Sequence, residues 1–422
     1  MAEGLVARLA ALALLQGVLG DRRPLSDLIE APGMARLAPA ERARAQRLAL
    51  GVLRQIEPID RLLQTHLKRE PELEALNILR LGVTELAGGA AAHGVVNAAV
   101  EMARRGRQQS GAAGMINAVL RKVPEGVVLA GPVQKMPRWL RQPLVHAHGR
   151  DIVTAIETMQ AKAPPLDLTL KDGPLKDGPL EDGLRPDGLL LPNGSLRLAG
   201  AVQVSTLPGY AEGAWWVQDA AAAMAVPMLG DVRGQRVLDL CAAPGGKTMQ
   251  LAAGGAEVTA LDISGPRMAR VRDNLARTGL AAELVVADAL HWQPQDLFDA
   301  VLLDAPCSAS GTIRRHPDLQ YIKDGSDLAT LTDLQARLFD RALTFLKPGG
   351  RLVCCTCSLL AQEGEDQLAA AVQRHPGLRV LPPQGPGLSD DWTCTGGGLR
   401  LRPDYWAEAG GMDGFFMACV TR

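Results

Sequence analysis

A chain of 422 residues has material for two or three domains and a full hydrophobic core. At 47% hydrophobic and 22% charged residues its composition is ordinary for a soluble globular protein, while 3% aromatics leaves little for base stacking. The formal net charge of −1 conceals an asymmetry: residues 1–150 hold 21 Lys/Arg against 13 Asp/Glu, and the remainder is acidic. A basic amino-terminal part fits phosphate contact there, and equally an arginine-rich solvated helix surface. The seven cysteines (241, 307, 354, 355, 357, 394, 419) are odd in number and lie beyond residue 240, a pattern of reduced thiols that excludes a disulfide framework.

Met1–Gly20 is apolar but carries Glu3 and Arg8, and it has neither a signal-peptide pattern nor an uncharged span of membrane length. It reads as the amphipathic first helix of a cytoplasmic protein with no membrane association. Apolar residues at three- and four-residue spacing predict helices over Leu5–Leu19, Glu41–Ile56, Ile59–Leu67, Leu73–Leu86, Val95–Arg104 and Met115–Val123. Pro24, Pro58, Pro71 and Gly88-Gly89 break them, so residues 1–130 are expected as a helical bundle. Arg104, Arg105, Arg107, Arg121 and Lys122 follow helix ends, where they face RNA phosphates or simply complement the helix dipole.

Residues 131–213 are expected as a small linker domain. It opens with helix over 136–163, beginning Pro137-Arg138-Trp139-Leu140. Residues 171–183 nearly repeat a Lys/Glu-Asp-Gly-Pro-Leu unit, whose turn-forming steps predict an exposed, poorly ordered loop. From 214 to 422 short β-rich runs (Arg236–Leu240, Glu257–Asp262, Glu283–Ala287, Phe298–Asp304, Gly350–Thr356) alternate with helices near 246–253, 265–278, 328–346 and 363–375. That alternation predicts a doubly wound sheet, with Phe415–Thr421 as a late antiparallel strand.

The first of these runs ends in Cys241-Ala242-Ala243-Pro244-Gly245-Gly246-Lys247 before a helix, a tight turn that lets backbone approach a ligand. Cys241 stands where a Walker A loop needs its first glycine, and the run does not match G-x-G-x-x-G. Asp239, Asp262, Asp288 and Asp304 fall at four consecutive strand ends. One such aspartate is often a helix N-cap, but four point to a nucleoside-type cofactor, with Asp262 on ribose hydroxyls and Asp288 near an adenine amino group. Cys307 and Cys357 follow two later strands, the end where open α/β sheets bind ligands.

Asp239-Leu240-Cys241-Ala242-Ala243-Pro244-Gly245-Gly246-Lys247-Thr248, Asp304-Ala305-Pro306-Cys307-Ser308 and Thr356-Cys357-Ser358 resemble, in this order and spacing, the RNA cytosine-C5 methyltransferase family. Ile313 to Asp318 and the helical amino-terminal part, which resembles the NusB fold, point to the bacterial 16S rRNA branch. The resemblance implies an α/β Rossmann-type methyltransferase domain, an all-α NusB-like domain and a small α+β linker domain. It implies S-adenosylmethionine as cofactor, held by Cys241 to Lys247, Asp262, Arg267, Asp288 and Asp304. It also implies 16S rRNA, naked or in an early assembly precursor, as partner, with a monomeric enzyme and no metal. Lys247 is left to the cofactor, the base pocket or a loop cap; Arg314, Arg315 and His316 are expected RNA contacts, with a solvated charged turn as the alternative.

The same resemblance makes Cys357 the nucleophile. Adding its thiolate to C6 turns cytosine C5 into an enamine-like carbon, dividing one difficult step into two easier ones. Cys307 then assists release, Asp304 serves the N3 edge of the base and Pro306 shapes the pocket. Cys354, Cys355 and Cys419 are expected as inert core residues; the C-x-x-C of Cys354 and Cys357 lies within a strand and lacks the spacing of a zinc knuckle. Two positions depart from the family: Gly364 replaces an asparagine in the stretch Ala361-Gln362-Glu363-Gly364, and Thr169 replaces an arginine. The alternatives are the same chemistry on tRNA or another rRNA site, a DNA cytosine methyltransferase, and an RNA-binding protein with a vestigial catalytic domain. The Thr-Cys-Ser nucleophile opposes the DNA enzyme, and intact Asp304, Cys307 and Cys357 oppose the vestigial domain.

Overall fold

The computed structural model describes residues 4–106, 110–173, 184–200 and 202–422. Arg107 and the repeat residues from 174 to 183 lie outside them. The chain divides into two units, Met1–Ala163 with Ile313–Asp324, and Pro164–Thr312 with Gly325–Arg422. Residues 131–163 fall in the first of these units and 164–213 in the second. Gln134 accepts from the Glu57 amide and Glu57 accepts from the Lys135 amide, so the chain beyond residue 130 is bound to the first helices. The small sheet instead joins the carboxy-terminal unit, where Arg197 donates to the Ala409 carbonyl and Asn193 to that of Ala220.

In the first unit the helix Leu73–Ala87 is buried on nearly every side, and its buried Arg80 and Glu85 are paired with Asp60 and Arg8. Helices Leu5–Leu19, Pro39–Arg54, Ala92–Arg105 and Ala113–Leu120 contribute to the core around it. The two short helices Leu25–Glu30 and Pro32–Ala35 were not expected from the periodicity, because neither is long enough to show one. The helix expected over 136–163 is two, Arg138–His148 and Arg150–Gln160, parted at Gly149 with φ +82°. Residues Ile313–Asp324 complete this unit. Asp318 caps the Leu25 amide at 3.0 Å, Arg54 donates to the Arg314 carbonyl, the Tyr321 hydroxyl donates to Leu53 O at 2.8 Å, and Tyr321 and Ile322 pack on the core.

The second unit opens with a four-stranded antiparallel sheet of β1 (Leu166–Leu170), β2 (Leu189–Leu190), β3 (Leu196–Leu198) and β4 (Trp215–Val217), in the order β2-β3-β1-β4. Asp167 and Arg197 face each other across β1 and β3 in a bidentate ion pair of 2.7 Å contacts, both buried. Thr169, one of the two departures, sits in β1 and donates to Gln218.

The main sheet holds β5 (Arg236–Leu240), β6 (Glu257–Asp262), β7 (Glu283–Val286), β8 (Phe298–Asp304), β9 (Leu346–Thr356), β10 (Arg379–Leu381), β11 (Leu399–Leu401) and β12 (Phe415–Thr421). Its order is β10-β12-β9-β8-β5-β6-β7, with β11 on β12; β5 to β9 are parallel and β12 is antiparallel to β9, as the late strand was expected to be. Alternation sends Leu238, Val301 and Leu303 to one face, with Leu338, Phe339 and Leu368 from the helices Leu328–Thr344 and Glu365–Arg374. Val237, Leu302 and Val353 go to the other, with Leu251 of the helix Gly246–Ala253. Strand order reverses between β5 and β8, the switch point where such sheets bind ligands. No helix among the described residues is long and apolar enough to cross a membrane.

Arg197→Met leaves Asp167 as a buried carboxylate without its cation, and should cost about 3–5 kcal/mol of stability in urea denaturation. Asp167→Leu combined with Arg197→Met should recover most of that loss, since well-packed apolar pairs commonly replace buried ion pairs.

Candidate active site

The parallel register of β8 and β9 pairs Asp304 with Cys355. Beyond it the two strands' loops stay joined by backbone: Ala305 N donates to Cys355 O at 3.0 Å and Gly311 N to Cys357 O at 2.9 Å. Gly311 also lies so close to the Gly414 carbonyl that no side chain fits between them. The result is that Cys307 and Cys357, fifty residues apart in the chain, stand with their sulfurs 3.4 Å apart, both partly exposed. The hydrogen bond with Cys357 raises the Cys307 pKa well above the ordinary thiol value, and burial and the charges on Cys357 and Glu363 add to the effect. Pro306, beside Cys307, is exposed.

A second set of contacts holds these loops, and the sequence reading missed it. Glu363 is 1% exposed; its carboxylate accepts from Ser308 N at 2.8 Å, from Ser308 Oγ at 2.5 Å and from Gln335 Nε2 at 3.0 Å. Ser308, Ser310 and Ser358 link hydroxyls, and Ser310 Oγ and Ser358 Oγ accept the Leu359 and Leu360 amides at 3.0 Å. Arg400 donates to Ser358 O and pairs with Glu365. The only signal in the sequence was the glutamate beside the departing Gly364. That glycine has a physical reason, because a Cβ there would stand 2.5 Å from Arg400 Nη2 and 2.7 Å from the Phe416 ring.

Lys247 Nζ lies 2.7 Å from Asp304 Oδ2, and Cys355 Sγ lies 3.5 Å from Oδ1. Burial works against the Lys247 charge, but Asp304 and its other acidic neighbours outweigh it and its pKa is raised. Of the three sites considered for Lys247, it therefore stands against Asp304. Asp239 points into the fold: it accepts from Thr248 Oγ1 at 2.6 Å, and burial pushes its pKa up to about 7. It is an internal support of the loop, and of the other three strand-end aspartates Asp262 is buried while Asp288 and Asp304 are partly exposed.

Among those three, Asp262 accepts the Ala243 and Ser264 amides at 3.2 and 2.9 Å. Asp288 lies two residues past β7, accepts the Leu290 amide at 2.9 Å and is partly exposed. Arg267 donates to Ala243 O at 2.5 Å and lies 3.6 Å from Asp262, bracing the loop from outside. Cys241 has φ +61°, and burial followed by the Asp304 charge pushes its thiol up to about 12. Ala242, Ala243, the cis bond to Pro244, and Gly245 at φ +100° complete the turn. The helix that Gly246 begins has no side-chain cap hydrogen bond at its start.

Arg314, Arg315 and His316 fall in the segment Ile313–Asp324, which belongs to the helical unit. Arg314 is 1% exposed, so its guanidinium is not a surface cation; Arg315 is half-buried and His316 exposed. Among the described residues no three His, Cys, Asp or Glu side chains gather as a metal site.

Residues 226–421 match a family described as the 16S rRNA methyltransferase RsmB/F, and residues 5–125 match the NusB family. The chain is 35% identical to the ribosomal RNA small subunit methyltransferase B of Xanthomonas campestris, over 100% of this chain and 98% of that one. It is equally similar to the protein of that name from Pseudomonas putida, over 98% of each. The crystal structure of PH0851 shares the fold over 100% of this chain and 99% of its own, with a TM-score of 0.74 at 22% identity. A methyltransferase homolog protein from Pyrococcus horikoshii matches 67% of this chain and 98% of its own, with a TM-score of 0.51 at 26% identity. The chain belongs to the RsmB/F family of 16S rRNA methyltransferases and carries a NusB-family domain at its amino-terminal end.

Proposed function

We propose that the chain transfers a methyl group from S-adenosylmethionine to C5 of a cytosine in 16S rRNA, by way of a bond between Cys357 and C6 of the base. The observation that carries this reading is the pair of sulfurs 3.4 Å apart beside the Lys247–Asp304 ion pair. The loop from Cys241 to Lys247, its uncapped helix start, Asp262 and Asp288 have the donor and acceptor set that an adenosine and an amino acid group require, with Arg267 bracing the loop. When bound there, S-adenosylmethionine supplies an electrophilic methyl group.

The remaining chemistry falls to side chains. Cytosine must leave its stack to reach them, at a cost of about a few kcal/mol that is smallest in a loop. Cys357 adds as thiolate to C6, and N3, where the displaced electrons collect, takes a proton through Asp304, which Lys247 holds in place and which receives that proton back as the base regains its aromatic form. Once C5 is methylated, its proton passes to water, the C5–C6 double bond re-forms and the bond from C6 to the Cys357 sulfur breaks. Cys307 stands where its thiol donates to the departing sulfur. A free thiol is only about a few per cent ionised at neutral pH, so the attacking and assisting sulfurs need different protonation states. The basic amino-terminal part, with Arg315 and His316, supplies the groups for RNA phosphates.

Incubation with naked 16S rRNA and with 30S precursors, followed by bisulfite sequencing, should reveal 5-methylcytosine at one position; modification of tRNA alone would refute the rRNA assignment. Cys357→Ala should lower methylation by at least about a thousandfold and form no RNA adduct. Cys307→Ala should accumulate a covalent adduct that survives denaturing gels. An adduct in the Cys357 variant instead would reverse the two roles.

A further inference from the structure

Glu363 is the one carboxylate buried against the cysteine loops whose partners, among the described residues, are all neutral: Ser308 N, Ser308 Oγ and Gln335 Nε2. A carboxylate buried this way has hydrogen bonds alone, and no cation, to offset its lost hydration. Both of its oxygens point at the residue next to Cys307. It is also tied to the other cysteine's strand, since Thr356 Oγ1 donates to the Glu363 carbonyl at 2.8 Å.

We propose that Glu363 is the positioning residue that makes the two cysteines unequal: it clamps the Cys307 loop through Ser308 and sets an unpaired negative charge behind Cys307, which holds that sulfur as the thiol while Cys357 attacks. The proposal rests on the roles given to the two cysteines above. Glu363 occupies the Ser308 amide, beside Cys307 in the chain, and so withholds it from a Cys307 thiolate; the Ala309 amide still reaches the sulfur and acts weakly in the opposite sense. The carboxylate charge acts in the same sense, after the hydrogen bond with Cys357, burial and the Cys357 charge. A neutral Cys307 3.4 Å from Cys357 keeps the proton that the sulfur leaving C6 requires; a thiolate there would repel it. Glutamine in this position would keep the shape and most of the hydrogen bonds and lose the charge, which separates clamping from electrostatics.

The test uses the full chain in a Cys357→Ala background, which removes the thiol pair and leaves burial and Glu363 acting on Cys307. Alkylation of Cys307 by iodoacetamide is followed by peptide mass spectrometry across the alkaline pH range, with and without Glu363→Gln. The midpoint of the pH–rate profile should fall by about half a unit, a roughly threefold faster alkylation below it. Glu363→Asp, which withdraws the charge by one methylene, should shift it the same way by less, and serves if the glutamine variant does not fold. An unchanged midpoint in the folded variants overturns the proposal, because a purely structural clamp would not move it. Labelling needs neither RNA nor cofactor, so this result is independent of the cytosine reading, which fails separately if Cys307→Ala protein forms no RNA adduct.

Discussion

The pairing of β8 with β9 is the constraint on which the site depends. Because side chains alternate along a strand, the register that sets Asp304 opposite Cys355 also decides which sulfurs and carboxylates emerge together at the sheet's edge. A slip of one residue would send Cys355 and Cys357 to the face of Leu338 and Phe339 and bring Cys354 out in their place. The apolar alternation of Leu302 and Val353 against Val301 and Leu303 makes that slip costly on both faces at once. The reactive geometry is thus secured by the core and not by the reactive residues.

Past the strand ends no core is available, and hydrogen bonds take over. Each loop is short of partners for its own amides, and each borrows them from the other: Gly311 from Cys357, Ser308 from Glu363, Leu359 from Ser310. Burying these amides unpaired would cost about 1–3 kcal/mol each, so the shared network is also what keeps the loops from opening into solvent. Rigidity of this kind holds the two sulfurs at their 3.4 Å separation.

Most strands of the main sheet were legible because their residues alternate and their ends carry turn-formers; Arg236–Leu240, Glu257–Asp262, Phe298–Asp304 and Phe415–Thr421 match residue for residue. The beginning of β9 was not, since Lys347-Pro348-Gly349-Gly350 reads as a turn and is held in the sheet by its neighbours. At the site, the residues with recognisable chemistry stood out and their supports did not. Glu363 and Ser310 carry no pattern in one dimension, because what defines them is a partner fifty residues away. Asp239 shows the converse: its place at a strand end read as ligand-facing, but alternation put it on the inner face with Thr248. Arg314 likewise read as a surface cation, yet the chain around it belongs to the helical unit.

That last segment bears on how such a chain can change over generations. An accessory domain joined at one end can be gained or lost by a single rearrangement. Here the chain passes between its two units at 163, at 312 and again at 324, and the returning stretch supplies Asp318, Tyr321 and Ile322 to the helices. Deleting residues 1–163 would strand those side chains in the middle of the catalytic half, on a segment that begins six residues downstream of Cys307. The two halves are spliced into one another, so neither is a free module.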